Sequence, residues 1–286
     1  MDIAIDGVNI FVHEAGSPHG YPLFVLHGGP GLDHTELSPW LDPLGDTFRL
    51  LYVDERGQWR SQRVDPATLS LSVFAADVTR LAAALNLPRY AVLGHSFGAF
   101  IALAHAIEQG GASHYIISSG TASFTKTAPE IERNLAAFEP VALREQVTQS
   151  WALEPLARTQ EDVARIMDMQ MPFHFASVES EAYRHFMRAQ AGREIYAPEV
   201  LAYFAAHEYA IEYDDQLAAI HRPTLILGGE LDRTCTPRAA RELHAGIAGS
   251  ELVIIPDAGH MTYVEQPSLY FEAVRGFFAR HPAAGA

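Results

Sequence analysis

Short apolar runs separated by turn residues mark both ends of this chain, and longer helix-like stretches fill its middle. Residues 3–5 and 8–12 are two β-like runs joined at Asp6-Gly7, a hairpin signal. Residues 23–26 read as a short buried strand ending in His27-Gly28-Gly29-Pro30-Gly31, and residues 48–53 as another ending at Asp54. Helical spacing over 71–87 predicts a helix, with Ser70 or Ser72 as N-cap and Pro88 just beyond its end. Tyr90-Ala91-Val92-Leu93 is a strand that runs into Gly94-His95-Ser96-Phe97-Gly98. A small-residue helix over 99–108 follows, ended by Gly110-Gly111, and residues 115–118 give the next strand.

The texture then changes. Residues 121–215 read as helices broken by Pro129, Pro140, Pro155, Pro172 and Pro198. Alternation resumes with a strand at 224–227, a helix over 237–248, a strand at 251–255 and a helix over 266–278. Strands alternating with single helices predict an α/β fold, its mostly parallel sheet covered on both faces. The expected division is a core of 1–120 and 216–286 with a helical lid over 121–215. All the chemistry-bearing motifs fall at the carboxyl ends of strands, where such sheets bind ligands.

At 286 residues with 48% apolar content, the chain can bury a sizeable core. The formal net charge of -15 argues against nucleic acid as a partner. No apolar run is long enough to span a bilayer, and the opening residues carry no secretory signal, so the expected address is cytoplasmic. A single cysteine, Cys235, excludes an internal disulfide and suits a reducing compartment. It sits outside any cysteine-nucleophile motif. No metal is expected, because there is no H-E-x-x-H and His207-Glu208 lacks matching ligand spacing. The glycines after residue 27 are interrupted by Pro30 and form no dinucleotide-binding fingerprint, so no cofactor is expected.

Gly94-His95-Ser96-Phe97-Gly98 matches G-x-S-x-G between a strand and a helix, a turn that exposes a serine hydroxyl near a helix N-terminus. A serine needs a base. Fourteen histidines compete for that role, His27 and His95 among them. His260 stands out, in the loop after the last predicted strand, because this motif belongs to triads with the chain order serine, acid, histidine. Asp232 fits the acid position, with Asp257 and Glu230 as rivals. The elbow supplies the Phe97 amide for a developing oxyanion, and Gly29 is the second candidate donor.

The set formed by His27-Gly28-Gly29-Pro30-Gly31, Asp54-Glu55-Arg56-Gly57 with Arg60-Ser61, the Ser96 elbow, Asp232 with Pro237, and Gly259-His260 resembles the proline iminopeptidases. The likeness covers about residues 20–120 and 220–280 of an α/β-hydrolase core. Gly249-Ser250-Glu251-Leu252, before the histidine loop, is similar to the tricorn-interacting branch. The resemblance implies a triad of Ser96, Asp232 and His260, an oxyanion hole at Gly29 and Phe97, and lid acids that bind a substrate's free amino terminus. Glu230, then Glu208, then Glu199 are the candidates for that last role. The sequence departs from the family at Phe97 and His95 beside the serine, and at Trp59 where a glycine belongs.

The function expected is therefore acyl-enzyme hydrolysis of a short-peptide or other small-molecule substrate. Release of an N-terminal proline or small residue leads. A carboxylesterase or lactonase is the alternative, and a ligand-binding protein on the same fold is the alternative of another class.

Overall fold

The computed structural model describes residues 1–207 and 211–282. The first eight short runs become strands: β1 (Asp2–Ile5), β2 (Val8–Gly16), β3 (Tyr21–Leu26), β4 (Phe48–Asp54), β5 (Ala91–His95), β6 (His114–Ser118), β7 (Thr224–Gly229) and β8 (Glu251–Ile255). They form one sheet in the order β1-β2-β4-β3-β5-β6-β7-β8. β1 and β2 pair antiparallel to their neighbours, and every pair from β4 to β8 is parallel.

Both faces of this sheet are covered, which explains why its strands read as continuous apolar runs. On β3, Phe24 and Leu26 enter one core cluster while Leu23 and Val25 enter the other. On β4, Leu51 and Val53 separate from Leu50 and Tyr52 in the same way. This two-sided burial follows from the period of two along a strand.

Helix α1 (Leu71–Ala84) begins at Ser70, whose hydroxyl accepts from the Val73 amide. Ser72 instead donates to Glu108. α1 stops before residue 87, because Asn86 turns into the left-handed region at φ 53°. α2 (Phe97–Ala104) starts two residues earlier than the sequence indicates, directly after Ser96, and ends in a π-helical turn over His105–Gln109.

Among the described residues, five α-helices lie between β6 and β7: α3 (Phe124–Ala136), α4 (Val141–Leu153), α5 (Gln160–His174), α6 (Glu181–Gln190) and α7 (Pro198–Ala206). The insertion is tied off at its base. The Phe124 amide donates to Ile211 and the Tyr213 amide to Ala122, so chain entering and leaving the helices runs side by side. α5 is capped by a reciprocal pair, Thr159 accepting from the Asp162 amide and Asp162 from the Thr159 amide. After β7 come α8 (Pro237–Gly246), α9 (Thr262–Glu265) and α10 (Pro267–Arg280). The expected last helix over 266–278 is thus preceded by a separate short turn of helix, broken at Gln266.

Candidate active site

Ser96 occupies the sharp turn between β5 and α2, at φ 54° and ψ -115°. That left-handed backbone is costly for a residue with a Cβ, and it persists only when its surroundings hold it. They do so here: the Ser96 amide donates to Ser118 at 3.0 Å, and a Cβ on Gly98 would meet the Leu26 carbonyl oxygen at 2.1 Å. Strand and helix can therefore approach this closely only with glycine at position 98.

Asp232 lies in the turn after β7, and His260 in the loop after β8. His260 Nδ1 stands 2.8 Å from Asp232 Oδ2. The other carboxylate oxygen accepts from the Thr234 amide, the Thr234 hydroxyl and the Cys235 amide at 2.9, 2.9 and 3.0 Å. Burial alone would drive the His260 pKa down, but the charge and hydrogen bond of Asp232 outweigh it and hold the pKa above 6.5. Burial raises Asp232, and His260 with the Thr234 bonds brings it below 3.8. The histidine loop is braced further, since the His260 carbonyl accepts from the Ser119 hydroxyl at 3.0 Å.

Ser96 and His260 line one cavity of about 90 Å³, together with Gly29, Glu36, Glu154 and His174. Phe97 opens α2, so its amide belongs to the first turn of that helix. A wider cleft of about 560 Å³, lined by Arg89, Arg222 and His281 among others, lies at the amino ends of the strands and holds none of the motif residues.

The cavity is unusual in its acids. Glu36 is buried and accepts from the Gly28 amide, and burial, partly offset by His27, pushes its pKa up to about 7. Glu154 accepts from the Gln170 side-chain amide, and burial again raises it to about 7. Among the described residues neither forms an ion pair with a lysine or arginine.

Of the acids expected from the sequence to bind an amino terminus, the two that are described do not line this cavity. Glu230 is exposed: its amide continues the β7–β8 pairing onto Ile255 and its carboxylate accepts from the Asp257 amide, so it is not among the cavity-lining residues. Glu199 pairs with Arg63 at 3.2 Å on α7. Glu208 lies outside the described residues. The wall is formed instead by Glu36, Glu154 and a face of α5. Met167, Gln170, Met171 and His174 follow the helical spacing i, i+3, i+4, i+7, the one sequence signal that could have marked them.

His95 is fully buried beside the elbow, 4.9 Å from the His260 ring and 4.9 Å from Tyr263, and burial lowers its pKa well below 6.5. It is a neutral packing residue. Among the described residues Asp33, His34 and Asp54 come close enough to share a metal. Arg60 already pairs with both aspartates and His34 bonds Asp54, so the donors are spent on one another.

The α5 end and the histidine loop are knit together. The His260 amide donates to the His174 carbonyl at 2.7 Å. Glu265 accepts from Ala176 and Gly259 at 2.8 and 2.7 Å. The Arg233 guanidinium donates to the carbonyls of Phe173, Phe175 and Ala176 at 3.3, 2.7 and 3.2 Å. A Cβ at Gly259 would meet the His174 carbonyl at 2.6 Å.

Known proteins share this fold. A family model described as alpha/beta hydrolase fold matches residues 21–267. The chain is 27% identical over 282 residues to proline iminopeptidase PfmaB of Pestalotiopsis fici, covering 96% of this chain and 97% of that one. Among solved structures, a proline iminopeptidase from Mycobacterium smegmatis superposes with a TM-score of 0.76 at 21% identity, covering 98% of each chain. A thermophilic esterase from Thermogutta terrifontis does so with a TM-score of 0.74 at 23% identity, again covering 98% of each. Sheet order, serine turn and family match converge on one assignment: the chain is a hydrolase that belongs to the α/β-hydrolase family and resembles proline iminopeptidases.

Proposed function

We propose that this protein is a serine aminopeptidase that releases an N-terminal proline or small residue from short peptides. Ser96 Oγ attacks the scissile carbonyl while His260 Nε2 takes its proton, and Asp232 keeps the other ring nitrogen protonated and stabilises the imidazolium. The amides of Gly29 and Phe97 receive the oxyanion. His260 then gives its proton to the departing nitrogen, and water, activated by the same histidine, releases the acyl group from Ser96.

The observation that carries the peptidase reading is the pair Glu36 and Glu154 on the wall shared with Ser96. Two desolvated carboxyls, Glu36 facing the His27 ring and neither paired with a lysine or arginine among the described residues, form a site for an ammonium group, whose arrival favours their ionised form. Small size and the apolar lining by Leu32, Met167, Met171 and Leu201 suit a short acyl residue such as proline. The same lining suits a small acyl ester or lactone, which is the second reading.

The test is a side-by-side assay of the protein and its Ser96→Ala variant on prolyl and alanyl arylamides and on short-chain aryl esters. Arylamide cleavage that needs a free amine and is lost in Ser96→Ala is the expected result. Ester cleavage with arylamides untouched would move the assignment to the esterase reading. Fluorophosphonate labelling without turnover of either substrate would favour a ligand-binding protein.

A further inference from the structure

His174, the last residue of α5, stands beside the triad without belonging to it. Its ring centre lies 5.2 Å from that of His260, and it lines the cavity with Ser96. Its Nδ1 is 3.2 Å from the Gln170 carbonyl oxygen, an atom that can only accept. Nδ1 therefore carries the hydrogen, and Nε2 of the neutral ring carries a lone pair. Burial, with the neighbouring His260 second, lowers the pKa to about 4, so the ring is neutral at working pH. Nε2 has no hydrogen-bond partner among the described residues, and the residue is partly exposed where its ring lines the cavity. Nε2 is thus an acceptor on a ring that lines the cavity.

Its position is fixed to the triad rather than to the lid alone. The bonds from the His260 amide, Arg233 and Glu265 anchor the backbone around residue 174 to the loops that carry Asp232 and His260. An acceptor so placed has a defined task in amide cleavage. When the tetrahedral intermediate collapses, the nitrogen lone pair must face His260 to take its proton. The remaining N–H then points elsewhere, and in a site with little water it costs free energy unless an acceptor meets it. An ester oxygen has no such hydrogen.

We infer that His174 contacts the substrate directly, its Nε2 accepting the N–H of the scissile amide, and that it thereby selects amide over ester leaving groups. This inference rests on the aminopeptidase reading above. The C–N bond breaks, the His260 proton goes to nitrogen, and the hydrogen held by His174 stays on the leaving amine throughout.

The experiment measures kcat/KM on 4-nitroanilides and 4-nitrophenyl esters of the same aminoacyl groups, for the wild type, His174→Phe, His174→Leu and His174→Gln. The expected result is an arylamide-to-ester ratio lowered about tenfold or more in the Phe and Leu variants, and partly recovered in Gln, which keeps an acceptor. Two replacements of different shape, each checked by thermal unfolding, guard against a folding defect in one. Equal losses on both substrates, with wild-type arylamide activity intact, would overturn the role of His174 alone. A wild type that cleaves only the esters would overturn the aminopeptidase reading and this inference with it.

Discussion

Asp232 and His260, 28 residues apart in the chain, meet across a 2.8 Å hydrogen bond, and the Asp232 carboxylate is clamped on its other side by Thr234 and Cys235. The carboxylate cannot turn away, so it dictates which imidazole nitrogen keeps its hydrogen. Asp232→Asn replaces one acceptor oxygen by a donor and favours the wrong tautomer. Its kcat is expected to fall on the order of 10³–10⁴ with far-UV circular dichroism unchanged. A loss below tenfold would remove Asp232 from the triad.

The acid limb of the kcat/KM profile follows from the same pair. The base must be neutral in the free enzyme, and Asp232 holds the His260 pKa above 6.5 despite burial. Activity should therefore fall as pH drops, with a midpoint above 6.5. In Asp232→Asn the charge is gone and burial remains, so the midpoint should move to lower pH. A midpoint that stays in place would assign the limb to another group.

Glu36 links stability to pH with the opposite sign from an ion-paired carboxylate. Its pKa rises from 4.5 in the unfolded chain to about 7 in the buried site. The stability it contributes is complete below pH 4.5 and is lost as pH rises through 7. Glu36→Gln should thus gain about 3 kcal/mol over the wild type at pH 8.5, seen as a thermal midpoint roughly 4–6 °C higher, with little gain at pH 4.5. The same variant should raise KM for free-amine arylamides. A midpoint equally shifted at both pH values would show that titration is not the cause.

Arg233 is expected to hold the end of α5 rather than to take part in chemistry. Its guanidinium serves three carbonyls and lies over Phe138 at 4.9 Å. Arg233→Ala leaves those carbonyls without partners, so amide hydrogen exchange over residues 173–177 should quicken at least tenfold. Exchange confined to wild-type rates would mean that the Glu265 and His260 bonds suffice.

The proposed triad residues stand out in the sequence because each sits in a local signal at a strand end: Ser96 between two glycines, Asp232 and His260 in the loops after β7 and β8. The α/β alternation was equally local, since two-sided burial leaves an apolar run in each strand. Glu230 shows why nearness in sequence is a weak guide to side-chain direction. It lies two residues from Asp232, but backbone pairing with Ile255 turns its carboxylate to Asp257. Glu36 and Glu154 escaped notice because nothing local marks a carboxyl as buried, and both become cavity acids only when separate segments converge on Ser96. His174 was one of fourteen histidines, and its meaning depends on the Gln170 carbonyl and the approach of Gly259.

The contact between Gly259 and the α5 end limits how the chain can be recombined. A helical insertion taken from a relative would have to bring a backbone that fits against a bare glycine and offers its carbonyls to Arg233. Splicing at residues 122 and 213, where the strands of entry and exit bond each other, would satisfy the covalent join but leave this second seam mismatched. Productive chimeras should be those that exchange the 230–235 and 257–265 loops together with the insertion.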